Sequence, residues 1–159
     1  MKNGLGVRRR LALDIFSSIE DKRIAAHELR TIMWEATLRC NLACRHCGSD
    51  CRSEAAVPDM PAADFLRTID TITPHVVPNR VLIVITGGEA LMRRDIEEVG
   101  RALYDRGYPW GIVTNGMLLD ERRLESLLRA GLHTATVSLD GFAETHNRIR
   151  RNERSYERA

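Results

Sequence analysis

The sequence predicts an α/β protein, a parallel sheet of about four strands with flanking helices. Three observations carry this. Apolar runs of strand length alternate with segments of helical periodicity, at the spacing of right-handed βαβ crossovers. One run, Val81-Leu82-Ile83-Val84-Ile85, is apolar on both faces, the pattern of a strand covered on two sides in a parallel sheet. Every run also stops at a polar or glycine-bearing tip, where such sheets place their ligands.

Taken in order, residues 1–30 form a first segment. From about Arg8 to Leu29, apolar Leu11, Ile15, Phe16, Ile19 and Ile24 recur at near-helical spacing between charges, which predicts an amphipathic helix ahead of the main domain. Its simplest role is to cover the bottom or side of the core, with membrane-surface or partner docking as the lesser alternative.

Residues 31–159 form the main domain. Residues 32–38 read as its first strand, followed by a cysteine-bearing loop and a stretch rich in small and charged residues from Ser49 to Asp59. Met60-Pro61-Ala62-Ala63-Asp64 opens a helix whose buried stripe is Phe65, Leu66, Ile69 and Ile72, ended by Pro74 and Pro78. The run from Val81 to Ile85 is the second strand. A helix from about Arg94 to Arg106 stops at Gly107, and Trp110 to Thr114 is the third strand. Asp120 to Ala130 is a helix with Leu124, Leu127 and Leu128 inward and Gly131 at its C-cap. Thr134 to Leu139 is the fourth strand, and the arginine-rich remainder from Phe142 begins another helix.

A chain of 159 residues suffices for one domain with a real core. Its net charge of +2 gives no reason to expect nucleic acid or an acidic membrane as partner. No apolar run approaches the roughly 20 residues of a membrane span. Arg8-Arg9-Arg10 briefly imitates a signal peptide, but Asp14, Glu20, Asp21 and Lys22 interrupt any apolar core, so the expected location is the cytoplasm. All four cysteines fall between Cys40 and Cys51. A secreted disulfide framework would spread them, so reduced thiolates around a metal are the better reading.

Cys40, Cys44 and Cys47 have the spacing C-x3-C-x2-C, with Asn41 and Gly48 to help the chain turn. Three thiolates on a cube of four irons leave one iron open, as a cluster needs if it also binds a substrate or cosubstrate. The alternative is a zinc-binding interaction module with Cys51 as fourth ligand. Zinc sites usually draw two separated ligand pairs, so Cys51 reads more simply as a thiol beside the site.

At the second strand's tip, Gly87-Gly88-Glu89 lets the backbone approach a ligand closely and offers a carboxylate to an ammonium group; a glycine pair there is also commonly just a turn. Thr114-Asn115-Gly116 reads equally as a βα turn. Ser138 and Asp140 suit ribose hydroxyls or an amine, against helix capping. His146 and Arg150 share a helix face that, alone, would be merely solvated.

Together these motifs resemble the radical S-adenosylmethionine (SAM) superfamily, most closely its subgroup with SPASM or Twitch extensions. The resemblance implies the N-terminal part of a partial (β/α)6 TIM-like barrel. It implies Cys40, Cys44 and Cys47 as ligands of a [4Fe–4S] cluster whose fourth iron is chelated by SAM, with His46 near the nucleoside. Gly87, Gly88 and Glu89 match the motif that holds the SAM amino group, and Ser138 and Asp140 the position that reaches the ribose or methionine part. Asn115 is placed with the cofactor-binding residues, and Arg150 matches an arginine that pairs with the SAM carboxylate. Cys47-Gly48-Ser49 departs from the subgroup's Cys-Tyr or Cys-Phe continuation, and Ala90 stands where many relatives carry proline.

The implied reaction is reductive cleavage of SAM to methionine and a 5′-deoxyadenosyl radical, which abstracts hydrogen from a substrate. A low-potential donor such as flavodoxin or ferredoxin would supply the electron. The subgroup points to peptide or protein maturation first and a small cofactor precursor second. A complete barrel needs two more strands and a SPASM extension more cysteines. The expectation is therefore a fragment, a truncated reading frame or one half of an assembly, holding a cluster loosely and cleaving SAM poorly by itself.

Overall fold

A computed structural model of the chain describes residues 6–49 and 51–159; residues 1–5 of the expected first segment and Asp50 of the expected loop lie outside the described residues. The order of elements is α1 (Val7–Ala25), β1 (Thr31–Glu35), α2 (Ala62–Ile72), β2 (Leu82–Thr86), α3 (Ile96–Asp105), β3 (Trp110–Thr114), α4 (Glu121–Arg129), β4 (Leu132–Val137), α5 (Ala143–Arg150) and α6 (Ser155–Arg158). The four strands form one parallel sheet in sequence order, β1-β2-β3-β4. The sequence-predicted α/β architecture is therefore the observed one.

Side-chain alternation along the strands decides where the core sits. Trp34, Ile83, Ile85, Trp110 and Ile112 point to one face and are buried against the helices with Phe65, Ile69, Ile96, Val99, Leu103 and Leu127. Trp34 stacks on Phe65 with ring centroids 3.9 Å apart. Glycine at 100 gives Trp110 its place: a Cβ there would lie 2.1 Å from the indole ring. The opposite face is covered by none of the described elements, so Leu82, Val84 and Thr86 are only half-buried and Met33 is 66% exposed. The both-sided cover expected for β2 is thus present on the helix side only.

Other boundaries shift for local reasons. β1 ends at Glu35, because the backbone from Ala36 onward bonds to the β2 tip instead of extending the strand. β4 runs from Leu132 to Val137, two residues ahead of the expected span, with an irregularity opposite Trp110 and Gly111 that resets its register. In α4 only Leu127 is buried, and Leu124 and Leu128 remain exposed, so one residue of the expected three-leucine stripe packs inward.

The helix α1 forms but buries none of its residues; Leu11, Ile15, Phe16 and Ile19 are all more than half exposed. At 100° per residue its apolar positions spread over more than half of the circumference, and so narrow no single face for packing. The expected role as a cover for the core is not what the structure shows. Among the described residues no helix is long and apolar enough to cross a membrane.

Candidate functional site at the strand tips

The loop after β1 closes on itself before it meets anything else. Cys40 N–H donates to the Arg52 carbonyl (2.6 Å) and Arg52 N–H to the Leu38 carbonyl (3.3 Å), a one-residue parallel bridge that draws the loop's far end back to its start. Cys40, Leu42 and Cys51 are buried together within the closure, with Leu38, Cys44 and Met117 packed on them. Cys47 is exposed.

The β2 tip is zipped onto the same loop. Gly88 N–H donates to the Thr37 carbonyl (2.7 Å) and Glu89 N–H to that of Arg39 (2.8 Å). A Cβ on Gly87, at φ +131°, would stand 2.2 Å from the Thr37 oxygen, and one on Gly88 2.3 Å from that of Arg39. Neither position admits a side chain. The close approach that the glycines permit is, first of all, to the cysteine loop.

Glu89 is fully buried. Its Oε1 accepts from Thr114 Oγ1 (2.7 Å) and Leu91 N–H (3.1 Å), and its Oε2 from Asn115 N–H (2.7 Å). Burial pushes its carboxyl up, opposed by those three hydrogen bonds and the charge of Arg150. The carboxylate therefore locks the β2 tip to the β3 tip, with one of its four acceptor positions left over. Asn115 extends the lock: its Nδ2 donates to Asn41 Oδ1 (2.8 Å) and stands 3.8 Å from Cys40 Sγ, while its Oδ1 accepts from Met117 N–H. It does more than make a βα turn.

At the β4 tip Asp140 does not cap α5, whose N-cap is Phe142 and which has no side-chain cap. Its Oδ2 accepts from Arg150 Nε at 2.6 Å, and its Oδ1 lies 3.5 Å from His46 Nε2. Burial works against ionisation of Asp140, but the Arg150 hydrogen bond and charge outweigh it and hold the carboxyl below the usual range. Arg150 Nη1 in turn reaches Cys44 Sγ at 4.0 Å. Ser138 is fixed by its N–H to the Thr114 carbonyl (3.0 Å).

His146, whose helix face taken alone would read as solvated, is fully buried. Its Nδ1 accepts the Asp140 N–H at 3.1 Å, and its Nε2 is buried with no hydrogen-bond partner among the described residues. An orphaned buried donor costs about 1–3 kcal/mol.

These tips enclose a groove of about 190 Å³ at the C-terminal end of the sheet. Cys40, Cys44, Cys47 and Cys51 line it with His46, Gly87, Gly88, Asn115, Ser138 and Arg150; Glu89 and Asp140 do not reach its wall. Two of the thiols receive N–H donors from other elements, Cys40 from Asn115 and Cys44 from Arg150, and Cys40 also accepts from Leu42 N–H (3.4 Å). Such donors favour sulfur in its anionic, metal-binding form. Desolvation, opposed by the Leu42 N–H, still holds the Cys40 thiol up, and burial with the neighbouring Cys47 pushes Cys51 to about 11.

Among the described residues no three His, Cys, Asp or Glu side chains converge tightly enough for a single metal ion. A zinc ion requires every sulfur at about 2.3 Å from one point. A four-iron cube takes each sulfur at a different corner and so fits a wider spread.

Arg93 was not legible as a supporting residue. It is 4% exposed, donates from Nη1 to the carbonyls of Ala36 (2.8 Å) and Met60 (3.1 Å), pairs twice with Asp95, and lies over Trp34 at 4.8 Å. It anchors the root of the cysteine loop, and no local pattern distinguishes it from the solvated arginines.

A half-open parallel α/β sheet with a thiol-lined groove at its strand tips defines the class of protein. The family model for the radical SAM superfamily matches residues 34–159, and the chain belongs to that superfamily. Members of the superfamily use a [4Fe–4S] cluster and S-adenosylmethionine.

Among its relatives, the AdoMet-dependent heme synthase of Methanosarcina barkeri is 35% identical over 130 residues, covering 81% of this chain and 36% of the relative. The PqqA peptide cyclase of Granulibacter bethesdensis is 31% identical over 119 residues, covering 74% and 31%. In fold, the chain resembles Streptococcus suis SuiB bound to S-adenosylmethionine, with a TM-score of 0.65, 20% identity, and coverage of 82% of this chain and 30% of that one. The chain thus spans about a third of the length of the curated relatives it matches.

Proposed function

We propose that Cys40, Cys44 and Cys47 hold a [4Fe–4S] cluster, that the groove beside them seats SAM, and that residues 31–159 are the core of an enzyme of peptide, protein or cofactor maturation. The observation that supports this most is the arrival of N–H donors from the β3 tip (Asn115) and the end of α5 (Arg150) at the sulfurs of Cys40 and Cys44. When bound, the cluster and SAM together supply one-electron cleavage to methionine and a 5′-deoxyadenosyl radical that abstracts hydrogen.

The chain's own residues prepare the place. Gly87 and Gly88 leave backbone at the groove wall to receive an ammonium group, and Glu89, buried behind them, holds that tip in place through Thr114, Leu91 and Asn115. Ser138 offers a hydroxyl to the ribose or methionine part, and His46 borders the nucleoside side. Arg150, with Nε committed to Asp140 and Nη1 at Cys44, keeps Nη2 for a carboxylate beside Cys44. Cys51 lies behind this set as a protonated thiol. A reducing cytoplasm and a low-potential donor of the flavodoxin or ferredoxin kind complete the reading; peptide or protein is the first substrate class and a small cofactor precursor the second.

Anaerobic reconstitution with iron and sulfide tests it. A brown protein with broad absorption near roughly 400 nm, about four irons per chain and SAM-dependent change in its spectrum is the expected result. A colourless protein that instead holds one zinc per chain overturns it.

A further inference from the structure

Two contacts tie α5 to the cysteine loop: Arg45 N–H donates to the Ile149 carbonyl at 2.9 Å, and Arg150 Nη1 meets Cys44 Sγ. Whatever sets the seat of α5 therefore sets the position of the middle cysteine. The side chain at the centre of that seat is His146, fully buried, edge-to-face with Tyr156 at 5.9 Å, and accepting the Asp140 N–H on Nδ1.

The histidine is an expensive choice for a packing residue. Since Nδ1 accepts, the ring's N–H is Nε2, and that buried nitrogen has no partner among the described residues. A phenylalanine would fill similar space without orphaning a donor. What it lacks is an acceptor for the Asp140 N–H. The amide so held belongs to the residue whose carboxylate grips Arg150 at 2.6 Å and faces His46 at 3.5 Å.

We propose that His146 is the positioning residue of the site: by accepting the Asp140 amide it fixes the Asp140–Arg150 pair and, through Arg150 and the Ile149 carbonyl, the Cys44–Arg45 segment of the cysteine loop. It does not line the groove. The inference concerns the chain's own geometry, and only its consequence for SAM rests on the function proposed above.

The test compares His146→Phe, which keeps a ring and loses the acceptor, with His146→Asn, whose Oδ1 stands close to where Nδ1 was. In metal-free protein, amide exchange at Asp140 and Arg45 should quicken about tenfold in His146→Phe, the factor that roughly 1.4 kcal/mol produces. The amides of Ile83 and Ile112 should be unchanged, and His146→Asn should restore protection at Asp140. In reconstituted protein the Kd for SAM should rise about tenfold in His146→Phe and recover in His146→Asn.

Unchanged exchange at Asp140 and Arg45 overturns the proposal. So does exchange that quickens equally across the sheet, which marks a packing role. If His146→Phe does not fold, slow Asp140 exchange in a folded His146→Ala protein overturns it equally. Failure of the parent protein to bind iron or SAM would count against the proposed function and leave the amide result standing.

Discussion

The two ends of the sheet differ in a way that volume misrepresents. At the N-terminal end, a cavity of about 770 Å³ is lined by Glu28, Leu29, Arg30, Pro74, His75, Val76, Val77, Arg80 and Val81. It is four times the size of the groove at the tips, yet among the described residues the Arg30 side chain bonds only its neighbour Glu28, at 2.7 Å, and Leu29, Pro74, Val76, Val77 and Val81 make up most of the remaining wall. At the C-terminal end the space is smaller, and Glu89, Thr114, Asn115, Asp140 and Arg150 are each engaged with a residue of another segment. Site character here comes from convergent, mutually fixed polar groups, and not from empty space.

The largest effect that can break this contrast is at the sulfurs. Replacing Cys40, Cys44 or Cys47 singly with alanine should remove most of the bound iron from the reconstituted protein, measured by iron content and absorption, whereas Arg80→Ala at the other end should leave it unchanged. If Arg80→Ala lost iron comparably, the two ends would not be distinct.

Next in size is Gly88→Ala. Its Cβ overlaps the Arg39 carbonyl and must part the β2 tip from the cysteine loop, so stability in urea should fall by about 2–4 kcal/mol even without metal. A change under about 0.5 kcal/mol would show that the tips are not zipped together.

Glu89→Gln should follow at about 1–3 kcal/mol, read in the same unfolding experiment. The amide oxygen can replace Oε1 before Thr114 and Leu91, but its NH2 then confronts the Asn115 N–H.

The smallest effect sharpens the comparison by pH. The Asp140 carboxyl is depressed in the folded chain, so the stability it contributes is present above the unfolded value of about 3.9 and is lost as pH falls through the lower folded value. The stability difference between the parent and Asp140→Asn should be flat from pH 8 to about 5 and shrink below about 4. A difference that grew in acid would contradict the sign.

Much of this was readable from residue order. Alternating apolar runs gave the sheet, and the cysteine spacing gave the candidate ligands, because both depend on patterns a few residues long. The partnerships were not readable. Glu89 offered a free carboxylate by sequence and is spent on Thr114 and Asn115; Asp140 looked like a ribose or capping group and is paired with Arg150. His146 looked solvated and is buried, and α1 carried enough apolar residues for a packed helix but no narrow face. Each of these turns on which distant segment arrives alongside.

The sequence by itself determined the parallel α/β sheet, the superfamily resemblance and the trio of thiols, since local periodicity and short-range spacing encode all three. Only the tertiary structure decided that the strand tips hold one another before they hold a ligand. Hydrogen bonds such as those from Asn115 to Glu89 and from Arg150 to Asp140 join residues whose meeting is set by the packing of the sheet and its helices, and the order of letters along a segment does not carry that meeting.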